Sequence, residues 1–204
     1  MRMLKELFEA HFYGTFPNVD NKVLMLEERT VTGDFSLNDP KACLRCKYVC
    51  NEEPEQREQL KVQTNDNVCI ISIDQVFSFV REEVGEICDY MIETTNSTIF
   101  VEMSCSTTEY VPAKRIKARS QLYNTLEKLF TCPPVRAHIE KKNKHYVVFS
   151  WKETPNIKDK MDNVESNMMD MTLLSDAIYS PYNESKFAFD FKLKEIRYPD
   201  PFIC

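Results

Sequence analysis

The stretch Cys88–Ser106, CDYMIETTNSTIFVEMSCS, decides the fold. It holds two β-compatible runs, CDYMIE and TIFVEMSCS, separated by the turn-forming TTNS. Alternation along the second run puts Ile99, Val101 and Met103 on one face and Phe100, Glu102 and Ser104 on the other. Asp89 opens the first run. If the two runs pair, its carboxylate approaches that of Glu102 and the two make an oxygen site for Mg²⁺ or Mn²⁺.

Upstream, VCIISIDQVFSFV (68–80) reads as a third strand of the same meander, with Asp74 on it as a supporting acid. Downstream, Pro112 opens AKRIKARSQLYNTLEKLF, in which Ile116, Tyr123, Leu126 and Phe130 fall at helical spacing until Pro133-Pro134 stops it. VRAHIEKKNKHYVVFSW follows as two strand-like runs around KKNK, which places Arg136 and His138 on a strand. The expected architecture is α/β, a mixed central sheet with flanking helices.

The outer regions are plainer. Leu4 to Phe12 has helical spacing, KVLMLEERTV (22–31) reads as a strand, and GDFSLNDPKAC (33–43) as a loop. NEEPEQREQLKVQTNDN (51–67) is polar without an apolar period, hence a surface connection or an exposed helix rather than core. Near the end, MMDMTLLSDAIY (168–179) suggests a short helix and FAFDFKLKEIRY (187–198) a strand. One domain is expected over 1–204, with an N-terminal elaboration (1–66), a core (67–151) and a C-terminal elaboration (152–204).

Composition narrows the function. With 43% hydrophobic residues the chain has material for a core, and with only 3 Gly in 204 residues it has no glycine-rich phosphate loop. MRMLKELFEAHFYG carries charges throughout and no window approaches the ~20 apolar residues of a membrane span, so the expectation is a cytoplasmic protein without membrane contact.

Net charge is −6, but between Ala113 and Lys152 ten basic residues face two acidic ones, a local +8 that leaves −14 elsewhere. Lys114, Lys117, Arg119, Lys141, Lys142 and Lys144 are the candidate nucleic-acid contacts. The alternative is a solvated helix face and a lysine-rich turn.

Cys43-x₂-Cys46-x₃-Cys50 offers three soft ligands. Structural zinc usually has two clean pairs and only one is visible, so free thiols are the expectation and zinc or an iron–sulfur cluster the alternative.

CDYMIETTNSTIFVEMSCS followed by AKRIKARSQLYNTLEKL resembles the PD-(D/E)XK, restriction-endonuclease-like nucleases over residues 67–129. The resemblance implies that Asp89 and Glu102 are metal ligands and that Gln121 is the helix glutamine of several branches. It implies nucleic acid as substrate and a bacterial defence or mobile-element setting. Ser104 stands where that family has its catalytic lysine. A hydroxyl carries no charge to orient the attacking water, so weak or absent catalysis is expected unless Lys114 or Lys117, on the same helical face as Gln121, substitutes. The alternative is a catalytically dead scaffold that pairs with a partner protein.

Overall fold

A computed structural model describes residues 6–13, 28–38, 58–77, 85–106, 110–153 and 184–204. The strands are β1 (Glu28–Thr32), β2 (Phe35–Asn38), β3 (Glu58–Gln63), β4 (Asn67–Ser72), β5 (Tyr90–Glu93), β6 (Ser97–Ser106), β7 (Lys144–Glu153), β8 (Glu184–Lys186), β9 (Lys192–Arg197) and β10 (Pro201–Ile203). The helices are α1 (Ile73–Val76), α2 (Val111–Phe130) and α3 (Pro133–Glu140), preceded by a π-wound turn at Phe8–Phe12.

Seven strands form one mixed sheet in the order β1-β4-β5-β6-β7-β9-β8. The β1/β4/β5/β6 pairings are antiparallel, the β6/β7/β9 pairings parallel, and β8 runs antiparallel to β9. Parallel β6 and β7 need a crossover, and α2 with α3 supplies it. A second sheet, β10-β3-β2, lies over the other face. The result is three layers: helices, large sheet, small sheet.

Both faces of the central strands of the large sheet are covered. On the helix side Phe100, Met91 and Val147 pack with Leu122, Leu126 and Leu129 of α2, Val135 and Ile139 of α3, and Phe8 and Phe12. Between the sheets Ile99, Val101 and Met103 pack with Leu60, Val62 and Phe202. The alternation expected along β6 is the alternation observed. Each large side chain buried this way contributes roughly 1.5–3 kcal/mol.

Four readings change. The polar stretch 51–67 contains β3, whose Leu60 and Val62 are fully buried, because a strand at the sheet–sheet interface needs only every second residue apolar. Phe35–Asn38, expected as loop, is β2; Gly33 at φ +81° turns the chain out of the large sheet into the small one. The run after Ser72 winds into α1, so Asp74 is helical rather than on a strand. Finally, VRAHIE belongs to α3, with Arg136 and His138 on a helix, since Pro133-Pro134 sits at its first positions, where a missing N–H costs nothing.

The N-terminal helix reading holds over the described residues 6–13, which wind as α, π and 3₁₀ turns, with Phe12 edge-on to Phe77 at 5.1 Å. Residues 168–179 and Cys43, Cys46 and Cys50 lie outside the described residues. Among the described residues no helix is long and apolar enough to cross a membrane.

Candidate functional site: a carboxylate pair at the sheet end

Asp89 immediately precedes β5. Its N–H donates to the Val101 carbonyl (3.0 Å) and its carbonyl accepts from the Ile73 N–H (2.9 Å). Its carboxylate Oδ2 accepts the Met103 N–H at 2.9 Å, so the side chain continues the β5–β6 ladder where the backbone of β5 has not yet begun. Tyr90 pairs with Val101 and Met91 with Phe100, and Asp89, just outside that register, bonds β6 on both sides of Glu102, at Val101 and at Met103. Phe100 packs on the helix side, so Glu102, two residues further along β6, faces that side. Both are buried, Asp89 to 2% and Glu102 to 8% exposure.

Burial pushes the Cys88 thiol well above the usual cysteine range; the hydrogen bond with Thr125 opposes this, and the charges of Glu102 and Asp89 add to it.

Helix α2 fixes this corner through its polar side chains. Gln121 Nε2 donates to the Ile87 carbonyl (3.0 Å), and the Cys88 N–H donates to Thr125 Oγ1 (2.9 Å), which itself donates to the Gln121 carbonyl (2.8 Å). Gln121 and Thr125 are both buried one turn apart, the spacing that lets two side chains grip the same segment. Gln121 thus holds the chain leading into Asp89. Thr125 was not singled out from sequence; its signal was a small hydroxyl residue on the apolar face of α2, four residues after Gln121.

Ser104 is half-buried on the same face, opposite Trp151 of β7, which is in turn opposite Arg197 of β9. Sequence reasoning also missed Arg197. Its guanidinium lies 5.3 Å from the Trp151 ring and bonds Glu153 at 2.6 Å. These residues sit at the carboxyl ends of the parallel strands, the end at which open α/β sheets bind ligands.

The basic residues separate into two groups. Lys114, Lys117 and Arg119 are exposed on the first half of α2, with Lys117 Nζ 2.8 Å from Glu86 on the loop that Gln121 grips. Arg115, between them, reaches the other way to Glu195 at 2.7 Å. Lys141, Lys142 and Lys144 lie at the opposite end of the sheet, where Lys142 donates to the Thr94 carbonyl at 2.8 Å. Lys117 to Phe130 alone spans about 20 Å of helix, so the structure does not bring the six together.

Among the described residues no group of three or more His, Cys, Asp or Glu side chains is placed to hold a metal ion. Two carboxylates with water completing the shell is nonetheless a usual arrangement for Mg²⁺, which keeps several of its waters. Asp89 and Glu102 fit that requirement: one carboxylate is oriented by the Met103 N–H, and the other belongs to the residue before Met103.

Comparison with protein-family models, with curated proteins and with solved structures finds no match to this chain.

Proposed function

We propose that the chain holds Mg²⁺ or Mn²⁺ at Asp89 and Glu102 and acts there on the phosphodiester backbone of a nucleic acid, as a nuclease of the PD-(D/E)XK kind or as a nucleic-acid-binding subunit descended from one. The observation that carries this is that buried Asp89 bonds β6 on both sides of buried Glu102, at Val101 and Met103. Two like charges in a low-dielectric corner repel, and a divalent cation removes that repulsion. When bound, the cation supplies Lewis-acid polarisation of a phosphoryl oxygen and lowers the pKa of a bound water.

The chain's own residues divide the remaining work. Gln121 and Thr125 hold the Ile87–Asp89 segment, and the Met103 N–H orients the Asp89 carboxylate. Ser104 brings a hydroxyl without charge, and Lys117 lies across the Glu86 loop. The reading is therefore a slow enzyme or a binding protein, in a setting such as bacterial defence or a mobile element. A scaffold role that recruits a protein partner is the second reading, favoured by the exposure of Ile116 (73%) and Tyr123 (42%) on one face of α2.

The test is cleavage of plasmid, single-stranded DNA and RNA with Mn²⁺ by wild type, Ser104→Lys and Glu102→Ala. Loss of a preorganised cation costs about 10²–10³ in rate. Slow or absent wild-type cleavage, gained in Ser104→Lys, supports the reading. Cleavage that survives Glu102→Ala overturns it.

A further inference from the structure

Helix α2 buries one side only, through Ala118, Leu122, Thr125 and Leu129. On the opposite side Ile116 is 73% and Tyr123 42% exposed, and half-buried Phe130 continues the line at the same spacing. Seven residues fall about 20° short of two full turns, so the three make one stripe about 21 Å long.

A bend in the chain after β8 widens this stripe. Phe189 and Asp190, neither of them glycine, take φ of +56° and +61°, a region that bulky residues avoid. The bend stands the Phe189 ring against Tyr123 (5.8 Å between centroids) and Phe130 (5.0 Å), yet leaves it 38% exposed.

The charges beside the stripe share its centre. Arg119 and Glu127 lie four positions either side of Tyr123, as Ile116 and Phe130 lie seven either side. Both are exposed, and neither has an ion partner among the described residues, whereas Lys117 has Glu86, Arg115 has Glu195 and Arg136 has Glu140. About 12 Å of helix separates Arg119 from Glu127, too far for them to pair with each other.

We propose that this face of α2, with Phe189, is the contact between two copies of the chain, packed antiparallel about a two-fold axis at Tyr123. The axis sets Tyr123 against its own counterpart, Ile116 against Phe130 and Phe189 of the second copy, and Arg119 beside Glu127 of the second copy. Each unlike contact is made twice. A base and an acid that have no ion partner within one chain thus supply each other across the axis. An unrelated protein would need the inverse charges at the same separation along an apolar stripe; a second copy carries them already. A helix pair this short belongs to the small, weak class of interfaces, so the dimer should dissociate at micromolar concentration. It does not depend on the carboxylate reading.

The experiment is sedimentation velocity of the full chain from ~1 to ~200 µM in EDTA. The samples are wild type, Ile116→Glu, Arg119→Glu, Glu127→Arg and a one-to-one mixture of the two charge variants. Wild type should pass from monomer to dimer over that range. Ile116→Glu should weaken association about thirtyfold or more, as an apolar anchor lost from both copies. Each charge variant alone should weaken it about tenfold by setting like charges together. Their mixture should associate as wild type does, because each variant then meets the opposite charge at both contacts. Lys61→Glu, exposed on the small sheet across the large sheet from α2, should leave association unchanged.

A wild type that stays monomeric at ~200 µM overturns the proposal. So does a mixture that associates no better than its components, which would leave the stripe to a different protein. Loss of fold in Ile116→Glu, read by circular dichroism, would show that the stripe is covered within its own chain and would overturn it as well. Mn²⁺ binding is a separate outcome: a monomer that takes up Mn²⁺ removes the dimer alone, and a dimer without Mn²⁺ affinity removes the metal site alone.

Discussion

Strand β5 carries a buried carboxylate at each end, and the two ends are treated differently. At its last residue, Glu93 meets His138 of α3, with Nε2 2.8 Å from Oε1. Around it Lys142 donates to the Thr94 carbonyl, and the Asn143 N–H donates to the Asn96 carbonyl. The helix layer is pinned to the β5–β6 turn, and the acid is satisfied by the fold itself. Before its first residue, Asp89 receives the N–H of Met103, the neighbour in β6 of a second buried acid, Glu102. One end spends its carboxylate on structure; the other accumulates charge of one sign. The difference teaches that burial of an acid is not by itself a functional signal, and that what stands opposite it is.

The largest expected effect breaks the structural end. His138→Ala strands Glu93 among α3 and the sheet, and removing one partner of a buried pair costs ~3–5 kcal/mol. At about 2–4 °C per kcal/mol for a chain of this size, Tm should fall by roughly 10 °C. Glu102→Gln, in metal-free buffer, should leave Tm unchanged or raise it, because it removes a repulsion. Urea denaturation of both variants checks the contrast, and equal destabilisation would erase it.

A smaller effect sharpens the site end. Thr125→Val keeps the shape of the side chain but leaves the buried Cys88 N–H without its acceptor, at a cost of about 1–3 kcal/mol. Amide exchange at Cys88 should rise more than at Glu93, since only the corner leading into Asp89 loses its clamp. Uniform acceleration across β5 would show that Thr125 supports the whole strand instead.

The smallest effect belongs to the surface. The hydrogen bond from Lys192, with Lys194 behind it, holds the Glu184 carboxyl below its usual range. A lowered acid contributes stability that is complete above its unfolded pKa and is lost as pH falls through the folded value. Glu184→Gln should therefore be slightly less stable than wild type near neutrality and converge with it in acid, as the pair is solvent-screened. Thermal melts over pH 3 to 7 measure this.

The meander and α2 were legible because their periodicities are strong. β6 alternates over ten residues, and α2 forms where the helical spacing placed it, although Ile116 and Tyr123 of that spacing are exposed and the buried face is that of Leu122, Leu126 and Leu129. β3 was not, since EQLKVQ carries only two apolar residues and its burial depends on a sheet assembled from β2 and β10, far away in sequence. Local spacing cannot reveal such a partner. α3 was misread because Val135 and Ile139 are β-branched, although Pro at its start was the better signal. At the site, the face of Glu102 on β6 followed from alternation, but what Gln121 grips did not. Nothing in the sequence shows that its amide ends on the Ile87 carbonyl, or that Arg115 turns to Glu195 rather than toward Ser104.

The central claim is that the acid pair at one end of β5 holds a divalent cation and the acid at the other end does not. Titration of the protein with Mn²⁺, followed by electron paramagnetic resonance of the free ion, tests it directly. The account predicts one bound Mn²⁺ per chain in wild type and in Glu93→Gln, with binding lost in Glu102→Gln and in Asp89→Asn, which still accepts the Met103 N–H. Equal Mn²⁺ affinity in wild type and Glu102→Gln, or no binding by wild type, would contradict it.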